Sequence, residues 1–60
     1  MKMGDFNLAI ETAIYDALNA KTGEEIAVVY EYALGLVKED YPFVTLEMIK
    51  NTYEDIMYDL

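Results

Sequence analysis

The chain has 60 residues and a formal net charge of −8, and it contains no cysteine, histidine, serine or arginine. Those absences exclude Cys–His and Ser–His nucleophiles, thiolate or imidazole metal sites, and the bidentate arginine clamp for phosphate. The acidity argues against direct binding to nucleic acid or to an anionic membrane, both of which need lysine and arginine against phosphate.

A chain this short makes one domain, residues 1–60, and buries only about 60% of its unfolded surface. Yet 55% of its residues are hydrophobic. A small domain without disulfides gains missing core by oligomerising or by binding a partner, so both are expected here. Charges interrupt every apolar run well short of about 20 residues, so no transmembrane segment is read. The Met1-Lys2-Met3-Gly4-Asp5 start leads into a run already broken by Glu11, so no signal peptide is read either. The expected location is the cytoplasm.

Taken in order, Met1 to Gly4 reads as a frayed start, with Asp5 as N-cap of a helix over about 5–20. Phe6, Ile10, Ala13, Ile14, Ala17 and Leu18 fall on one face of that helix, and Asn7, Glu11, Thr12, Asp16 and Asn19 on the other. Leu8 and Tyr15 interrupt the polar side, either as singly exposed side chains, which are ordinary, or as a small contact patch. Lys21-Thr22-Gly23 is the first turn. Gly23 either adopts a positive φ or opens the next helix, and Thr22 with Glu25 matches the capping-box pattern S/T-x-x-E.

The second helix is expected over about 23–39. Its run Glu24 to Lys38 is the most apolar in the chain. Ile26, Val29, Ala33, Leu36 and Val37 share a face that Tyr30, Leu34 and Ala27 widen beyond the usual stripe of about 100°. A face this broad needs cover on two sides. Val29, Tyr30, Ala33, Leu36 and Val37 are therefore the candidate interface between two copies of the chain. Val28, Val29, Tyr30 and Tyr32 carry strand propensity, but the run is too long and too poor in turn residues for one strand.

Pro42 biases Tyr41 away from helical geometry, so the second helix should stop near Glu39 or Asp40. The aromatic loop Asp40-Tyr41-Pro42-Phe43-Val44 is expected to lid the core. Thr45 caps a third helix over about 45–59, with Val44 and Ile49 in the two positions of a hydrophobic staple. Leu46, Ile49, Tyr53, Ile56, Met57 and Leu60 share its apolar face. Glu47, Asn51, Glu54, Asp55, Tyr58 and Asp59 lie opposite, with Met48 an outlier among them.

The fold expected is an all-α three-helix bundle that pairs as a homodimer. Glycines 4, 23 and 35 are too scattered for a phosphate loop, and three short helices rarely form a cleft of about 300 Å³. The reading is therefore no enzyme, no cofactor and no metal. Glu54, Asp55 and Asp59 crowd the end of the third helix, where the macrodipole favours cations and each anion costs roughly 0.3–1 kcal/mol. Six tyrosines in so short a chain add amphipathic rings suited to interfaces and to cation–π contact. Glu47, Glu54, Asp55, Tyr58 and Asp59 are thus the candidate partner-binding face. They point to a protein-binding regulator or inhibitor of a basic partner, whose strong form is mimicry of nucleic acid by carboxylates. In size and charge the chain resembles small acidic inhibitors of phages and mobile elements, a likeness of composition alone. The alternative is a self-assembling structural subunit whose acids only keep it in solution.

Overall fold

The structure is a computed structural model that describes the backbone of residues 3–59 and the side chains of residues 5–59. Three helices follow one another: α1 (Met3–Ala20), α2 (Ile26–Lys38) and α3 (Leu46–Asp59). No strand occurs among the described residues, so the strand propensity of Val28 to Tyr32 is overridden by the helical burial pattern around it. The radius of gyration, 10.7 Å, is close to the roughly 10.4 Å expected of a closed domain of this length.

The core follows the helical period. Phe6, Ile10, Ala13, Ile14 and Ala17 of α1 are buried with Val29, Ala33 and Val37 of α2, Ile49 of α3, and Val44 just before it. Leu18, Tyr30, Leu34, Tyr41, Tyr53 and Ile56 pack around that cluster. The α1–α2 interface is the most extensive of the three, and α3 packs against both partners. The three buried alanines let α1 and α2 approach closely, because a methyl group adds little width between helix axes. No polar or charged side chain is buried among the described residues.

The ends of the helices correct several expectations. α1 begins at Met3, so Asp5 lies inside its first turn and favours the positive end of the dipole; it is not the N-cap. Thr22 does not cap α2. Its hydroxyl turns back and donates to the carbonyls of Leu18 (2.9 Å) and Asn19 (3.1 Å), closing the end of α1. The cause is Gly23, whose φ of +86° reverses the chain, with the Glu24 N–H reaching the Lys21 carbonyl at 3.1 Å. Positive φ at the third residue of a turn is the type II arrangement. α2 consequently starts at Ile26, later than expected, and its N-cap Glu25 makes no side-chain capping bond.

The second connection matches its sequence. Tyr41-Pro42-Phe43-Val44 forms a turn closed by the Val44 N–H on the Tyr41 carbonyl at 3.0 Å, with proline where such turns favour it. The rings do lid the core: Phe6 sits 5.1 Å from Tyr41 and 5.1 Å from Phe43, centroid to centroid. Thr45 accepts the Met48 N–H at 3.3 Å, a true N-cap. Val44 and Ile49, the staple pair, are both buried in the core cluster. Of the apolar face read on the third helix, Ile49 is buried, Tyr53, Ile56 and Met57 are half-buried, and Leu46 is exposed; Leu60 lies outside the described residues.

The two interior glycines should respond oppositely to alanine. A Cβ at either position meets nothing within 4 Å, so crowding decides neither. Gly23→Ala forces a side chain into positive φ and should cost about 1–2 kcal/mol. Gly35→Ala, inside exposed helix, should stabilise by about 0.5–1 kcal/mol. Urea denaturation midpoints of the two variants give the signs. Ile14→Ala, at a fully buried position, should cost about 2–5 kcal/mol in the same assay.

Candidate functional site

Since the interior carries no polar side chain, any recognition chemistry sits outside it. The five residues of the candidate partner-binding face are all exposed, Tyr58 at 90%. The structure does not gather them in one place. Asp55 and Asp59 lean toward α1 and line a groove of about 320 Å³ with Asn7, Glu11, Tyr15, Thr52 and Ile56. Glu47 lies on the other flank of α3, in a hollow with Tyr30, Leu46 and Lys50. Helical geometry imposes this division: Glu47 and Asp55 are eight residues apart, about 80° around the axis, and the two neighbouring helices take opposite flanks.

The candidate dimer residues are divided too. Val29, Ala33 and Val37 are 3%, 0% and 3% exposed, so they are spent on the chain's own core and offer almost no surface to a second copy. Tyr30 is half-buried and Leu36 keeps 36% of its surface. The breadth of the α2 face is real, but α1 and α3 cover its centre and leave its margins, Ile26, Ala27 and Leu36, open.

A second groove was not anticipated. It runs between α1 and α2, encloses about 460 Å³, and has no α3 residue in its lining. Leu8, Ala9, Ala13, Leu36 and Val37 form its apolar part, and Asp5, Asp16 and Asp40 are the charged residues along it, with Thr12 and Tyr41 completing the lining. This exceeds the concavity expected of three short helices. The signal was present in sequence: Asp5, Leu8, Ala9, Thr12, Ala13 and Asp16 recur at three- and four-residue spacing, one flank of a helix. Read on the polar side alone, Leu8 instead goes with Tyr15. The structure separates them, placing Leu8 in the α1–α2 groove and Tyr15 in the α1–α3 groove.

Two aromatic arrangements fix the remaining geometry. Tyr30 and Tyr53 stack edge to face, 5.4 Å between centroids, tying α2 to α3. Burial raises the Tyr30 phenol above its ordinary value, and the charges of Tyr53 and Glu54 add to the rise. Lys21 holds its Nζ 5.5 Å from the centre of the Tyr32 ring, so one exposed tyrosine already has a cation over it. Among the described residues no group of three or more Asp or Glu side chains is arranged to hold a metal ion, and no helix is long and apolar enough to cross a membrane.

Compared with models of protein families, with characterised proteins and with solved structures, the chain matches none of them. What the surface can do must be read from its own residues. The two grooves flanking α1 share one property: among the described residues, every charged side chain lining either is a carboxylate.

Tyr30 makes the fold sensitive to alkali. Its folded value lies above its unfolded one, so its neutral form is the one the native state holds. The stability it supports is complete below the ordinary tyrosine range, near pH 10, and is lost as pH rises through the folded value. Between about pH 8 and about pH 11 the urea midpoint of the native chain should fall more than that of Tyr30→Phe, which keeps the ring against Tyr53 and removes the titrating hydroxyl.

Proposed function

We propose that the chain is a protein-binding regulator whose partner presents a basic surface. In its strong form, its carboxylates stand in for phosphates and block a nucleic-acid-binding protein. The observation that carries this is the pair of acidic grooves on either side of α1. Glu11, Asp55 and Asp59 line one, Asp5, Asp16 and Asp40 the other, and no lysine among the described residues lines either. The fold supports it in a second way. With its apolar centre closed, the chain still exposes Leu8, Tyr15 and Leu36 beside those carboxylates. Interfaces combine apolar anchors with a polar rim in this manner. An inert surface disperses its large apolar side chains.

The same features favour work as a binding module over work as an enzyme. The described interior holds no polar side chain to position or desolvate a reacting group. The grooves are lined by carboxylates, hydroxyls, one amide and apolar side chains, with no imidazole, thiol or guanidinium in the whole chain. The site of action is the cytoplasm.

The test is capture of the partner from a host extract at low and high salt, followed by competition with DNA or RNA. Binding should weaken steeply with ionic strength, and nucleic acid should displace the chain from its partner. Replacing Glu11, Asp55 and Asp59 by their amides should weaken binding by about 1–2 kcal/mol in total, since each exposed ion pair contributes roughly 0.2–1 kcal/mol. The competing reading, a self-assembling subunit, gives an oligomer through apolar surface whose mass does not change with salt. That outcome, with no protein captured, ends the regulator reading.

A further inference from the structure

We propose that the groove between α1 and α2 seats a single basic amphipathic helix of the partner protein. This rests on the protein-binding reading above and narrows it to one groove and one shape of ligand.

Shape is the first reason. Along α1 the lining runs from Asp5 to Asp16. Eleven residues at 1.5 Å each give a trough roughly 16 Å long, about three helical turns. The floor combines small and large residues in a useful order. Ala9 and Ala13, one turn apart, leave room for a helix to come close. Leu8 on α1 and Leu36 on α2 stand on either side as apolar walls, 62% and 36% exposed. A helix carrying apolar residues at three- and four-residue spacing lays its stripe into such a trough.

Charge chooses the occupant. Asp5 and Asp40 line the groove along with Asp16, and no lysine among the described residues joins them. Among the described residues of α1, Asp5 is the first and Asp16 the last to line the groove, so a helix seated on the apolar floor meets a carboxylate at either end of that stretch. Lysine or arginine flanking an apolar stripe fits this; glutamate does not. A second copy of the chain is disfavoured for the same reason. Each copy carries a net charge of −8, and its own exposed helical flanks are acidic. An extended peptide is disfavoured by the lack of an open sheet edge among the described residues to pair with.

The groove is open because the bundle has three helices. α3 packs against both α1 and α2, and a helix laid on one side of a two-helix layer leaves the other side uncovered. The partner helix takes the place a fourth helix would hold. Binding therefore completes a layer that the chain by itself leaves unfilled.

The probe is a synthetic peptide of about four helical turns, with leucines along one stripe and lysines on the remaining faces. Its comparator has the same composition with the leucines scattered around the helix. Calorimetry on the full chain should give binding at least about tenfold tighter for the striped peptide, since only it offers apolar anchors to the floor. Amide shifts in the labelled chain should cluster on residues 5–16 and 36–41. Leu8→Asn with Leu36→Asn should weaken the striped peptide by about tenfold or more. Leu46→Asn with Met48→Asn, on α3 and outside this groove, should change it by no more than about twofold. Leu8 and Leu36 are exposed, and circular dichroism of the double variant verifies that it folds.

Equal affinity for the two peptides overturns the proposal. So do shifts confined to α3, an unchanged affinity in the Leu8→Asn, Leu36→Asn variant, or no binding of the striped peptide. The two levels fail separately. A captured partner that binds this variant as well as the native chain sinks the groove assignment and leaves the protein-binding reading standing. Salt-insensitive self-association with no captured partner removes both.

Discussion

The close approach of α1 and α2 through alanine is the constraint on which the rest of the structure depends. Ala13 and Ala17 from the first helix and Ala33 from the second are almost fully buried, with Ile10, Ile14, Val29 and Val37 around them. Small residues bring two helices together but fill little volume. The pair alone therefore encloses little core, and α3 must be laid across it. Ile49 and the Tyr53 ring make that third contact, and the aromatic turn from Tyr41 to Val44 seals the end beside Phe6. Loss of the α1–α2 seam would leave α3 nothing continuous to pack on.

Helical period sets the character of the surface. Phe6, Ile10, Ile14 and Ile49 go inside because they lie on inward faces, while Leu8, Tyr15 and Leu36 on the flanks and Phe43 in the loop stay outside. The carboxylates, which cannot be buried without partners, take up the remaining exterior. Apolar side chains and acids are thus forced next to each other along the two grooves beside α1. Self-repulsion among so many like charges works against compactness.

Much of the fold could be read from residue spacing. The face from Phe6 to Ala17, the stop before Pro42, the Thr45 cap and its Val44–Ile49 staple all depend on neighbours within a turn of helix, and local geometry fixes them. Thr22 shows where such reading stops. It satisfied the capping-box pattern, yet the hydroxyl bonded backward to Leu18 and Asn19, because positive φ at Gly23 reversed the chain. A hydroxyl within reach of two helix ends serves the one the backbone brings near, and the pattern does not say which. The partner face was only half legible. Exposure of Glu47, Glu54, Asp55, Tyr58 and Asp59 followed from helical period; their dispersal over two flanks of α3 depended on where the other helices lay.

The sequence by itself determined three helices, their inward stripes, the acidic exterior and the absence of cysteine, histidine, serine and arginine, since each follows from residue type and a period of 3.6. Tertiary structure alone decided that Val29, Ala33 and Val37 serve this chain's interior, that Leu8 parts company with Tyr15, and that Asp5, Asp16 and Asp40 line one groove with Leu36. Those facts depend on which helix lies against which flank. A period along one strand of chain carries no record of the neighbour that will cover it.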